Sequence, residues 1–128
     1  MVSYILKRRS PAVLERLNGL RRDEKVFLSS LTEAELRYGY VRAGVGPDRF
    51  RALDLFLERF EVLPWDRLQT RTYALLRTQQ ESLGRTLSAL DLLIAAHAIS
   101  INAILVTHDE ALKSVESLTG VEDWATDL

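Results

Sequence analysis

Short apolar runs alternate with stretches of helical periodicity along the chain, separated by cap and turn residues. Ser10-Pro11 places an N-cap before a proline at the first helical position, and Val13, Leu14, Leu17 and Leu20 follow at helical spacing. The residues ahead of them read as the opening of the same helical region, so the chain is expected to begin on a helix. Val26 to Ser29, VFLS, fits a short buried strand. Thr32 followed by Glu35 has the spacing of a capping box, and the helix it opens is expected to end near Gly44. Gly46-Pro47-Asp48 starts another helix, with Phe50, Leu53, Leu57 and Phe60 on one face, and Val62-Leu63 is a minimal strand. Trp65-Asp66 begins a long helix through Tyr73, Leu76 and Leu83, closed by Gly84. Ser88 caps a helix from Ala89 to about Ser100 that is apolar nearly all round and so predicted buried. Ala103 to Thr107, AILVT, is the clearest strand, and a last one is expected at Val121 to Trp124.

Strands and helices in this alternation predict an α/β sandwich whose mainly parallel sheet is covered on both faces. Sites in such sheets gather at the carboxyl ends of the strands. The 128 residues leave room for a single domain, 1–128. Zero cysteines and two histidines exclude a disulfide framework, a Cys-based metal site and a thiol nucleophile. MVSYILKRRS is too briefly apolar for a secretory segment, and no apolar run approaches a membrane span, so a soluble cytoplasmic protein without membrane contact is expected. The net charge of −1 hides an asymmetry. Residues 1–90 carry 16 Lys+Arg and 11 Asp+Glu, whereas 91–128 carry one Lys and seven acids. Fourteen of the 17 basic residues are Arg, which suits forked contacts with phosphate as well as solvation of helix faces.

Asp91 is the only acid in the eleven residues from Leu87 to His97. An unpaired buried carboxylate there would be costly, although Ser88 and Asp91 also have capping-box spacing. Asp109 follows the strand AILVT, where α/β sites are built, and could equally cap the helix after it. Glu35 lies one turn inside the helix after VFLSS. Glu33 points roughly 200° away from it, and the neighbours Ala34 and Leu36 favour Glu35 as the residue facing the sheet edge, leaving Glu33 as a solvated capping partner of Ser30. Three carboxylates without a His/Cys cluster make a hard-oxygen site suited to Mg²⁺ or Mn²⁺ and not Zn²⁺, with phosphodiester hydrolysis the natural reaction. His97, off the face of Asp91, reads as a packed core histidine; His108 adjoins Asp109 on the strand-end loop.

The segments SSLTEAELRYG, FLERFEVLPWD, GRTLSALDLLIAAHA, AILVTHDEAL and GVEDW, in this order and spacing, resemble the PIN-domain ribonucleases and most closely the VapC toxins. The resemblance implies a PIN-like three-layer sandwich and a Mg²⁺ site of four acids. Glu35, Asp91 and Asp109 take the second, third and fourth positions, with Thr107 as a supporting hydroxyl. His108 stands where the family often has Asn, and Leu112 where Phe is common. It further implies an endoribonuclease acting on a structured RNA such as a tRNA, a small antitoxin as partner, and a homodimer. Arg37 and Arg85, nearest the motifs, are the candidates for holding the RNA backbone. Family members open with a central strand ending in Asp-Thr-Asn. Met1 falls where the following helix begins, so that strand and its Asp are expected to be missing, through a start placed inside a longer gene or a degraded allele. The alternative function is accordingly a catalytically inactive module that only dimerises or binds antitoxin. A phosphoacceptor receiver-type domain would require a Lys after the last core strand, for which Lys113 is the only candidate.

Overall fold

In the computed structural model, which describes residues 2–7 and 11–124, the apolar runs become strands of one sheet and the periodic stretches become its cover. The strands are β1 (Val2–Leu6), β2 (Glu24–Ser29), β3 (Glu61–Leu63), β4 (Ile104–Val106) and β5 (Val121–Glu122). Between them lie α1 (Pro11–Asn18), α2 (Ser30–Ala43), α3 (Pro47–Leu57), α4 (Arg67–Ser82), α5 (Ala89–Ser100) and α6 (Glu110–Lys113). The sheet runs β3-β2-β1-β4-β5 and every neighbouring pair is parallel. Parallel strands must be joined by crossovers, and the helices that make those crossovers cover both faces.

The two faces are legible in β1 itself. Ile5 belongs to the core beneath α4, α5 and α6, with Leu76, Ile94, Leu105 and Leu112. Its neighbours Tyr4 and Leu6 point the other way, into the core shared with Val13, Leu28, Leu53 and Phe56 from α1, β2 and α3. Side chains that alternate between two apolar layers define the predicted three-layer α/β sandwich.

The opening of the chain departs from expectation. Val2–Leu6 is a strand, not a helix, and it fills the central position between β2 and β4, with Ile5 opposite Phe27 on one side and Leu105 on the other. The expected loss of the central strand is therefore corrected. Five residues of mostly β-branched, aromatic and aliphatic type suit a strand buried on both faces, and the pairing offered by two flanking strands outweighs local helical spacing. The expected cap at Ser10 lies outside the described residues.

Most other boundaries fall where the caps put them. Asp66 caps α4 with a complete capping box to Gln69, Ser88 caps α5, and Gly44 and Gly84 close α2 and α4 with φ of 65° and 70°. One cap is corrected. Ser29, not Thr32, is the N-cap of α2 and accepts from the Leu31 N–H. Thr32 is instead buried within the helix, its hydroxyl without a hydrogen-bond partner among the described residues. Among the described residues no helix is long and apolar enough to cross a membrane.

Candidate active site

The carboxyl edge of the sheet is where β1, β2 and β4 deliver their last residues, and the candidate side chains meet there. Beyond β1, the Lys7 N–H donates to the Val106 carbonyl at 3.0 Å, which extends the ladder by one residue and fixes where the Lys7 side chain starts. Its ammonium lies 3.1 Å from Asp91 Oδ1, with both side chains less than one-fifth exposed. Asp91 stands in the first turn of α5. Half of the expected capping box forms there, because Ser88 Oγ accepts from the Asp91 N–H; the Asp91 carboxylate turns to Lys7 instead.

Lys7 also lines a cleft of about 360 Å³ together with Thr107, His108 and Asp109. Asp109 caps α6, accepting from the Ala111 N–H at 2.9 Å, and its own N–H donates to Thr107 Oγ1 at 3.1 Å. The capping and site readings of Asp109 are thus compatible: the cap fixes the carboxylate on the loop that borders Lys7. Glu35, on α2, feels both charges. Desolvation of its carboxyl pushes the pKa up, Lys7 pulls it down and Asp91 pushes it up again. The structure therefore places Lys7 in contact with Asp91, within electrostatic reach of Glu35, and on the lining of the cleft that Thr107 and Asp109 also border. A larger groove of about 470 Å³, lined by Leu75, Leu76 and Ile99 among others, holds none of these groups.

The neighbours sort themselves by contact. Glu33 pairs with Arg37 at 2.7 Å and not with Ser30, whose hydroxyl accepts from the Trp65 N–H. Arg37 reaches on to Asp54 at 3.0 Å, and Arg85 bonds the Ser114 carbonyl and pairs with Glu116. His97 is a core histidine, 1% exposed, with Nδ1 2.9 Å from Ser29 Oγ; burial lowers its pKa against a smaller opposing effect of Asp66. His108, at the cleft, is held through Nδ1 by Asp123 at 2.6 Å. Lys113 pairs with Glu110 and with Asp123.

Two residues of this edge escape a reading of the sequence, Lys7 and the buried Asp123, which is 4% exposed. Lys7 carried a signal: it follows the apolar run VSYIL much as Asp109 follows AILVT.

Three hard-oxygen donors match the chemistry of Mg²⁺ or Mn²⁺. Their arrangement does not. Among the described residues no group of three or more His, Cys, Asp or Glu side chains is placed to hold a metal ion, and a cation already sits on Asp91. Unit charges about 4 Å apart repel by about 4 kcal/mol at an effective dielectric constant near 20, and a divalent ion beside an ammonium by about twice that. The residues do not fit a divalent ion, both because the acids are not grouped to hold one and because Lys7 pairs with Asp91.

Comparison with known proteins agrees with the fold. The model of the PIN domain matches residues 1–118. The chain is 33% identical to ribonuclease VapC2 of Rickettsia felis over 94% of its length and 90% of that protein's. It is 28% identical to the tRNA(fMet)-specific endonuclease VapC of Shigella flexneri, covering 95% and 91% of the two chains. Among solved structures, VapBC2 of Rickettsia felis, bound to a DNA fragment from its promoter, superposes with a TM-score of 0.86 at 31% identity, covering 96% of this chain and 99% of that one. The chain belongs to the PIN domain family and, within it, to the VapC ribonucleases.

Proposed function

We propose that this chain is the toxin of a toxin–antitoxin pair, an endoribonuclease that hydrolyses phosphodiester bonds in a structured RNA such as a tRNA. A small cognate antitoxin is its partner, and it works as a homodimer in the cytoplasm. The observation that carries this reading is the convergence of Asp91, Glu35 and Asp109, from three separate elements, on the carboxyl edge of the sheet. The relatives support it: two are named ribonuclease or tRNA endonuclease, and the superposed structure is a VapBC complex.

Each group has a task the geometry allows. The Lys7 ammonium is a positive charge at a partly buried edge, suited to a phosphate oxygen. Glu35, its pKa raised by desolvation, is suited to take the proton of the attacking water. Asp91 holds Lys7 in place, and Thr107 fixes the backbone of Asp109. The Mg²⁺ or Mn²⁺ expected from the resemblance, with Asp91 as principal ligand and Glu35 and Asp109 completing the set, finds no metal-holding group among the described residues, and no step of the proposal depends on it.

That same ion pair favours a second reading, a catalytically inactive module that binds antitoxin without cutting RNA. Incubating the purified chain and its Asp91→Asn variant with pooled tRNA across a Mg²⁺ series separates the two. Fragments from the parent and none from the variant are expected. Cleavage retained by the variant removes Asp91 from the mechanism, and antitoxin binding without cleavage at any Mg²⁺ concentration selects the inactive module.

A further inference from the structure

We propose that a pocket between the end of α4 and the start of α5 binds one nucleotide of the RNA, with the base against its apolar wall and the phosphate on two arginines. The inference deepens the ribonuclease reading above and rests on it for the choice of a nucleotide.

The pocket has a volume of about 270 Å³ and is built by the turn that joins the two helices. Gly84, with φ of 70°, takes the left-handed conformation that ends α4 and lets the chain double back. The Arg85 N–H then donates to the Gln80 carbonyl at 3.0 Å, which holds the root of the Arg85 side chain at the last turn of α4. Arg77 and Gln80 line the pocket from α4, and Arg85, Leu87, Ala89 and Leu92 line it from beyond the turn. Ala89 and Leu92 belong to the turn of α5 that carries Asp91, so the pocket adjoins the candidate site along one helix.

Three features of the lining point to this ligand. The first is Gln80, which is 1% exposed while its Oε1 has no hydrogen-bond partner among the described residues. A buried acceptor left unpaired costs free energy until a donor meets it. The terminal torsion of a glutamine is soft, so the oxygen can turn to a donor that enters the pocket. The second is the pair of guanidiniums. Arg77 pairs with Glu81 and donates to the Tyr73 hydroxyl, while Arg85 donates to the Ser114 carbonyl and lies 3.7 Å from Glu116. Glu81 and Glu116 are 67% and 75% exposed, so these ion pairs are weak, and a five-donor guanidinium keeps N–H groups for a phosphate. Glu81 is the one acid of the lining and is outnumbered by the two arginines. The third is the wall of Leu87, Ala89 and Leu92, an apolar surface for the face of a ring.

A nucleotide brings all three complements in one small body: an N–H at the edge of the base, an apolar ring face, and a phosphate. An inorganic anion would satisfy the arginines and leave Gln80 unpaired, and an apolar side chain would satisfy neither. Pockets for whole small molecules begin at about 300 Å³, so this one suits a single base. Adenine, whose amino group and ring nitrogen match the acceptor and donor of a glutamine amide, is the base expected to fit best.

The test is a titration of the full chain with adenosine monophosphate, followed through the backbone amides by NMR, with no RNA and no added metal. Saturable shifts are expected at Leu87, Ala89 and Leu92. Gln80→Leu, which removes the unpaired acceptor, should unfold at the parent's temperature or above and bind adenosine monophosphate roughly tenfold more weakly. Its affinity for inorganic phosphate should equal the parent's, whereas Arg77→Gln should weaken the binding of both. Shifts confined to the cleft of Lys7 and Asp109, or equal nucleotide affinity in the parent and Gln80→Leu, overturn the proposal. So does a parent that binds no nucleotide while Gln80→Leu loses stability, because Oε1 then holds a buried water. Should Gln80→Leu fail to fold, the exposed Arg77→Gln decides: weaker nucleotide binding supports the pocket, and unchanged binding overturns it. No RNA is cut in the titration, so a chain that binds the nucleotide here and leaves RNA intact refutes the ribonuclease reading and not the pocket.

Discussion

Ser29 and His97 show how individual polar residues hold the edge without joining its chemistry. Ser29 Oγ accepts from the Leu31 N–H in the first turn of α2 and meets His97 Nδ1, so one hydroxyl ties the end of β2 to α5, the helix that carries Asp91. The apolar surroundings of His97 were visible in the sequence; its partner, 68 residues away, was not. Burial holds the folded pKa of His97 below its ordinary 6.5. Below that value the unfolded chain binds a proton that the folded chain refuses, so folding stability falls as pH drops, until the depressed folded pKa is reached; above it the effect vanishes. Urea unfolding midpoints on either side of pH of about 6.5 should show this slope in the parent and a flatter one in His97→Asn. An equal slope in both would place the titration elsewhere. Glu35 and Asp109 were legible because each follows a strand at the position where such sheets build sites. Lys7 was not, because a basic residue after an apolar run resembles an ordinary solvated end.

At the level of elements, boundaries set by side-chain chemistry were readable and those set by pairing were not. Asp66, Ser88, Gly44 and Gly84 each satisfy orphan backbone groups at a helix end, and local sequence marks them. Thr32 misled because Ser29 and Ser30, just ahead of it, are equally suited to capping, and the strand before them runs on to Ser29. VSYIL misled for a different reason: an apolar run of five residues does not reveal its type by periodicity. Its conformation depends on β2 and β4, on either side and far along the chain. A central strand gives a direct prediction. In native-state hydrogen exchange the amides of Tyr4, Ile5 and Leu6 should be protected as strongly as those of Val26 and Leu28 in β2. Rapid exchange of Val2–Leu6 alongside slow exchange in β2 would contradict the five-stranded sheet.

Over the whole molecule, the split of charge acquires a location. The acidic portion after residue 90 brings Asp91 and Asp109, and the basic portion before it brings Lys7 to meet them. Some of the arginine on the basic portion is engaged in exposed pairs, such as Arg37 with Asp54 and Arg77 with Glu81. Exposed pairs of this kind contribute about 0 to 1 kcal/mol each, so an RNA backbone can draw on these side chains at little cost. The five-stranded sheet and the Lys7–Asp91 pair at its carboxyl edge together describe a VapC-type fold. RNA cleavage tests the central claim most directly, measured side by side for the parent chain and Asp91→Asn with pooled tRNA. The account predicts fragments from the parent and none from Asp91→Asn. Equal cleavage by the two chains would contradict it.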